Sequence, residues 1–343
     1  MKKMLIIGFT FLFVWISCKG RNTSGASSEV TITLGAYTVP KEAYEKDIIP
    51  AFQKQWLEKT GQSVRFVASY IASGAQSRAI SSGFEADIAA LSLEKDVERL
   101  REAGLITHDW KNKRFGGFVT RSVVVIAYRA GNPRNIRSWG DLAVEGVQVL
   151  YPNPKTSGGA MWDVAAIYGA ALKMSEDEQG VQDKNFAYQL LKAIQRNVKV
   201  MDKSGRASVT TFENGTGDAL VTYENEVLLR VKQGREMDYI IPEATILIEN
   251  PVAVIDKNVD KHQNRRVVEA FVDFVLSPDS QKAFVSYGFR PVDSEVAAGI
   301  QAKYPTPRLQ FDISYLGGWD SVQTEIFGAD GIWTKILEEL AHD

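Results

Sequence analysis

The chain has one cysteine and three histidines among 343 residues. A single thiol forms no internal disulfide, and His108, His262 and His342 lie in loop or tail contexts without metal-ligand spacing, so neither a metal nor another cofactor is expected. His108, in Thr107-His108-Asp109-Trp110, reads as a surface or capping residue. No G-x-S-x-G turn and no H-E-x-x-H helix is present, which removes two common hydrolase signatures. The net charge is −2 with both signs interspersed and no basic tail or stripe, so nucleic acid is not an expected partner. The apolar run Met4 to Ile16 falls short of the roughly 20 residues that a membrane-spanning helix takes. No internal repeat is found.

What is present begins with targeting. Met1-Lys2-Lys3 supplies positive charge ahead of that apolar run, which ends at Ser17-Cys18. The sole cysteine behind such a run resembles a bacterial lipobox, with Ser17 and Ile16 suited to it and Trp15 standing where an aliphatic is usual. Residues 1–17 read as a signal peptide and Cys18 as a lipidation site; an ordinary cleaved signal with an incidental cysteine is the alternative. Residues 18–28 are small, polar and aperiodic, as a flexible tether should be. Beyond them, 45% hydrophobic and 10% aromatic content fits a packed globular chain long enough for two lobes. Trp139, Trp162 and Trp319 read as core or cleft-wall packing.

From Val30 onward strands and helices alternate, which predicts a mostly parallel α/β sheet. Ile49, Phe52 and Trp56 fall on one helical stripe that Gly61 closes. Val119 to Tyr128 and Ile246 to Ile255 are long and continuously apolar, as strands buried on both faces are. Two such strands bracketing the middle third let the chain enter a second lobe and return. The expected division is residues 29–118 plus 250–343 in one lobe and 119–249 in the other, with a cleft between.

The run Asn153-Pro154-Lys155-Thr156-Ser157-Gly158-Gly159-Ala160-Met161-Trp162 joins the strand Val147 to Tyr151 to a helix. Adjacent glycines at a helix start leave N–H groups uncovered by side chains, where the helix dipole places partial positive charge. No lysine follows in the Walker arrangement, so a nucleoside triphosphate does not fit. Three further strand-to-helix junctions have the same form: Tyr70 to Gln76 with Ser73 as expected N-cap, Met201 to Ser208, and Thr222 to Glu226. Each alone is ordinary capping. Together, facing one cleft, they would cradle a small dianion.

In this order, SYIASGAQS, NPKTSGGAMW, DKSGRASVTTF and GDALVTYENEVLL resemble the sulfate/thiosulfate-binding proteins of ABC transporters, a family of type II periplasmic binding proteins. GFEADIAAL, GNPRNIRSW and Tyr287-Gly288-Phe289-Arg290-Pro291 extend the resemblance from about Thr31 to Trp319. It implies a two-lobe α/β fold, each lobe a mostly parallel sheet flanked by helices, joined by two hinge strands. It also implies a non-enzymatic, monomeric protein outside the cytoplasm that delivers sulfate or thiosulfate to permease subunits and touches the membrane only through its lipid. Carried over by position, the anion donors become the Ser73 N–H, the Ser157 hydroxyl, the Gly158 and Gly159 N–H groups, and Gly205 where the family has alanine. Tyr223 takes the place of a tryptophan that reaches the anion, Thr38 that of an aspartate, and Arg206 matches an arginine behind the site.

Sulfate at neutral pH carries no proton and asks only for donors. Hydrogen phosphate also needs an acceptor, and an unmade hydrogen bond costs about 1–3 kcal/mol. The SGA, SGG and SGRAS loops contain no carboxylate, and Glu224 and Glu226 are expected to face solvent or to pair with Arg206 or Lys203. Sulfate is therefore the expected ligand, with thiosulfate, molybdate and phosphate as alternatives. A secreted hydrolase using Ser73 or Ser157 is the reading from another class.

Overall fold

The computed structural model describes residues 29–342; the signal segment, Cys18 and the tether lie outside the described residues. The β-branched and apolar runs form ten strands: β1 (Val30–Ala36), β2 (Val64–Tyr70), β3 (Ile88–Ala90), β4 (Phe118–Tyr128), β5 (Val149–Leu150), β6 (Val198–Val200), β7 (Ala219–Tyr223), β8 (Asp238–Ile240), β9 (Ala244–Val254) and β10 (Leu309–Phe311). Their order is β2-β1-β3-β9-β4-β7-β5-β6, with β10 on β9 and β8 on β4.

The short strands β1, β2 and β3 pair in parallel, as do β5, β6 and β7. Every antiparallel pairing involves β4 or β9. At 11 residues each, these two run through the whole molecule and pair with each other from Phe118↔Pro251 to Val123↔Leu247. Buried Thr120 and Asn250 share a side-chain hydrogen bond of 3.0 Å where the chain changes lobes.

The expected stripe Ile49, Phe52 and Trp56 is buried, and Gly61 closes its helix at φ 71°. That helix, Ile49–Thr60, is entered through one π-helical stretch, Tyr44–Ile48. The tail packs against elements within residues 119–249. β10 pairs in parallel with Ala244–Ile246, the start of β9. The terminal helix Ile332–His342 buries Trp333 and Ile336 and ties Glu339 to Tyr188 and Lys192 of the helix Lys184–Arg196. The apolar face of the last helix thus lies beside the helix Lys184–Arg196.

The helix Gly158–Gln179 organises the second lobe. Fifteen of its 22 residues are buried, and only a helix enclosed on nearly all sides carries so continuous an apolar surface. Its N-terminus reaches the other lobe: a Cβ placed on Gly158 would stand 2.8 Å from Leu93 Cγ and 3.0 Å from Ser92 Oγ. Only glycine permits that approach. Trp162 crosses the same boundary, its indole N–H donating to the Ser92 carbonyl at 2.9 Å.

Candidate functional site

Four helix starts meet where the lobes face each other. Ser157 caps the helix at Gly158, its Oγ accepting from the Ala160 N–H at 3.4 Å. Ser204 caps the helix Gly205–Glu213 in the same way, accepting from Ala207 at 3.2 Å. Tyr223 ends β7 and precedes the helix Glu224–Lys232. Ser73 opens the helix Ser73–Ser81 but does not cap it, contrary to the sequence expectation; Ala72 holds that position. Its hydroxyl donates to Asp96 Oδ2 at 2.6 Å and accepts from the Ser92 N–H at 2.8 Å, which pins two loops together. Among the described residues the N–H groups of Ser73, Gly158, Gly159 and Gly205 have no backbone partner, as first-turn amides generally lack one.

These junctions enclose a cavity of about 20 Å³. The space suits one small polyatomic ion, far below the several hundred Å³ of a site for an organic solute. Thr38, Ser73, Ser157, Gly159, Gly205 and Tyr223 line it. Gly158 lies on an adjoining groove with Arg78, Asp96 and Lys155, and Arg206 is not on the cavity wall. A larger open groove, about 660 Å³, runs past Lys95, His108 and Trp319 and carries charges of both signs, away from these helix starts.

Among the described residues no lysine or arginine lines the cavity. Any charge held there meets dipoles and hydroxyls. The Tyr223 hydroxyl lies 2.7 Å from Ser92 Oγ, a buried hydrogen bond between lobes, and burial raises the phenol pKa well above its ordinary value. Ser92 and Tyr37 also line the cavity, and sequence reasoning passed over both. Only their places at the ends of an apolar strand signalled them.

Asp163 was missed as well, and here the sequence carried a cue: a lone carboxylate in the otherwise apolar stretch Met161 to Ile167. It is 1% exposed and lines the cavity, so the site does contain a carboxyl that the loop sequences did not. Burial raises its pKa well above the usual carboxylate range.

The two glutamates after Tyr223 do not face solvent; both are fully buried. Glu224 takes a two-point hydrogen bond from Arg290 at 2.6 and 2.9 Å, and burial still raises its pKa against the pull of that cation. Glu226 accepts from Arg206 at 2.9 and 3.1 Å. Arg206 also donates to Glu42 at 3.0 Å and to the Val39 carbonyl at 3.1 Å, so one side chain spans the lobes. Burial works against its charge, but Glu226 and Glu42 raise its pKa. Both glutamates thus already have cationic partners.

Residues 32–290 match the model of the bacterial extracellular solute-binding proteins. The chain belongs to that family. Its relatives include a sulfate-binding protein of Synechococcus elongatus, 41% identical over 95% of this chain and 92% of that one. The sulfate-binding protein of Escherichia coli is 34% identical over 96% and 98%, and a thiosulfate-binding protein of Pseudomonas aeruginosa 33% over 88% and 90%. Among solved structures, the sulfate-binding protein SubI of Mycobacterium tuberculosis aligns at TM-score 0.78 and 35% identity, over 87% of this chain and 99% of that one. A periplasmic thiamin-binding protein, at TM-score 0.66 and 15% identity, shares the fold alone. The architecture is the two-lobe fold of type II periplasmic binding proteins.

Proposed function

We propose that this solute-binding protein captures sulfate, or its close analogue thiosulfate, in the cavity between its lobes and passes it to an ABC permease. The observation that carries the proposal is the cavity itself: four helix starts converge on space for one small ion, with no cationic side chain on the wall. Backbone N–H groups at helix starts stabilise a dianion through fixed dipoles. Each charge-assisted bond contributes about 1.5–3 kcal/mol before the ion's desolvation is offset. Ser73, Ser157, Gly158, Gly159 and Gly205 would supply donors, and Tyr223 its hydroxyl, with Thr38 beside them. The sulfate- and thiosulfate-binding names of the relatives support the same ion class.

Binding rather than catalysis fits the serines. Ser73 is committed to Asp96 and Ser92, and Ser157 to Ala160, so neither hydroxyl is paired with a histidine as a nucleophile would be. The lobes would divide at β4 and β9, residues 29–118 and 250 to about 308 forming one and 119–249 with the tail the other. The protein would act as a monomer outside the cytoplasm, held to a membrane through Cys18. Substituting Cys18→Ser should move it from the detergent phase to the aqueous phase on phase separation; unchanged partitioning would sink the anchor.

Thermal unfolding with sulfate, thiosulfate, molybdate and phosphate in turn tests the ligand. An ion present at a hundred times its Kd stabilises by about 2.7 kcal/mol. Sulfate should raise Tm most or share first place with thiosulfate; a shift with phosphate and none with sulfate would overturn the proposal.

A further inference from the structure

Asp163 sits in the second turn of the helix that opens at Gly158, with its side chain on the cavity wall. It is 1% exposed, and its Oδ1 has no hydrogen-bond partner in the protein. A buried acceptor without a partner is rare enough to need a reason. The cation-free wall offers an ionised Asp163 no counter-charge. The titratable groups that feel its charge are Tyr223 at the end of β7 and Tyr151 just past β5, both phenols whose pKa burial raises. Tyr37, past the end of β1, shares the cavity and is raised likewise by burial, with Glu226 adding to the rise. Asp96 adds a further negative charge near Tyr223. Each of these groups is neutral or acidic, so none offers an ionised Asp163 a compensating positive charge.

We propose that Asp163 serves the site as a neutral carboxylic acid, whose O–H donates a hydrogen bond to the bound oxyanion, so that capture of a proton-free dianion weakens when Asp163 ionises. This rests on reading the cavity as the oxyanion site. A protonated carboxyl has one O–H donor and can complete a donor set, whereas the ionised form is acceptor-only and repels a dianion at contact distance. Burial supports the neutral state, since it raises the pKa. The proton stays on Asp163 throughout, and no bond is made or broken. The dianion in turn raises the Asp163 pKa further, so binding takes up protons wherever the free protein is partly ionised. Above the pKa of the free protein, Kd should climb towards tenfold per pH unit.

Calorimetric titration of sulfate from pH 5 to 10 tests this on the native protein and on two variants. Sulfate is a dianion throughout that range. The native protein should bind more weakly as pH rises and, in buffers of different ionisation enthalpy, show proton uptake. Asp163→Asn keeps a donor of similar shape and cannot ionise; it should hold Kd within about threefold of native at pH 6 and lose both pH effects. Asp163→Val removes the donor and should weaken sulfate at least tenfold, with Tm of the free variants confirming that each is folded. A native profile that matches the Asn variant at every pH, or unchanged affinity in the Val variant, overturns the inference and leaves the cavity assignment standing. Hydrogen phosphate bound more tightly than sulfate by the native protein, and lost in the Asn variant, overturns it in favour of an accepting carboxylate. Failure of native protein to bind any oxyanion ends both readings.

Discussion

Gly158 and Gly205 both open helices at the cavity, yet the space around them differs. At Gly158 a Cβ would be driven into Leu93 and Ser92, and both are held: Ser92 by Ser73 and Tyr223, Leu93 by burial in the core. At Gly205 the nearest obstruction is Val39 Cγ2 at 3.8 Å, ordinary contact. The two glycines therefore answer to alanine in opposite ways. Gly158→Ala should force the lobes apart, at about 1–3 kcal/mol for an overpacked contact, and weaken sulfate roughly tenfold or more. Gly205→Ala keeps its N–H and should bind as the native protein does. Equal affinities for both variants, measured by calorimetry, would show that Gly158 does not set the approach of the lobes.

The elements were the most legible part of this chain. Period and turn residues located the helix that follows β2, the long strands β4 and β9, and the closing glycine at position 61, because each reflects local sterics and one face of burial. Side-chain partners were harder to read. Ser73 looks like an N-cap by its neighbours, but a buried carboxylate 23 residues away took its hydroxyl. Glu224 looks solvent-facing by its charge, but Arg290 waits across the sheet, in the YGFRP run that sequence marked without a role. Gly288 of that run has φ 88°, and a Cβ placed on it would stand 3.0 Å from the Asn225 backbone, so glycine lets the run lie close to the start of the Glu224 helix. Helix termini could be listed from sequence; that four of them converge is a property of the sheet order. Asp163 was hidden for the same reason, since its place on a wall depends on which strand faces its helix.

At the scale of the molecule, polar links join the lobes at several points, through Trp162, Tyr223, Arg290 and Arg206 among others. Arg206 is the most heavily used, with Glu226 on its own lobe and Glu42 and Val39 on the other. Arg206 outweighs the half-burial of Glu42 and holds that carboxyl below its usual pKa. Glu42→Gln cuts the cross-lobe charge pair and leaves the buried Arg206–Glu226 pair intact, so folding should be spared. The closed form should then be less populated, and apparent affinity falls with the population of the competent form. We expect sulfate to weaken by roughly three- to tenfold, from about 1 kcal/mol for a partly exposed pair, with a larger radius of gyration at subsaturating sulfate. Unchanged scattering and unchanged affinity would remove this link from closure.

The main-chain origin of the proposed donors has a consequence for heredity. A side-chain site can be erased by nearly any substitution at its key codons, whereas an N–H group persists under every residue except proline. Lineages could drift at Gly205 while still presenting the same contact to the ion, whereas Ser73 is held by the bonds of its hydroxyl to Asp96 and Ser92. Selection would instead fall on whatever keeps the helix starts in place, Gly158 and the Arg290–Glu224 pair among them. In a saturation-mutagenesis screen for growth on limiting sulfate, the intolerant positions should trace the scaffold around the ion more clearly than the atoms that touch it.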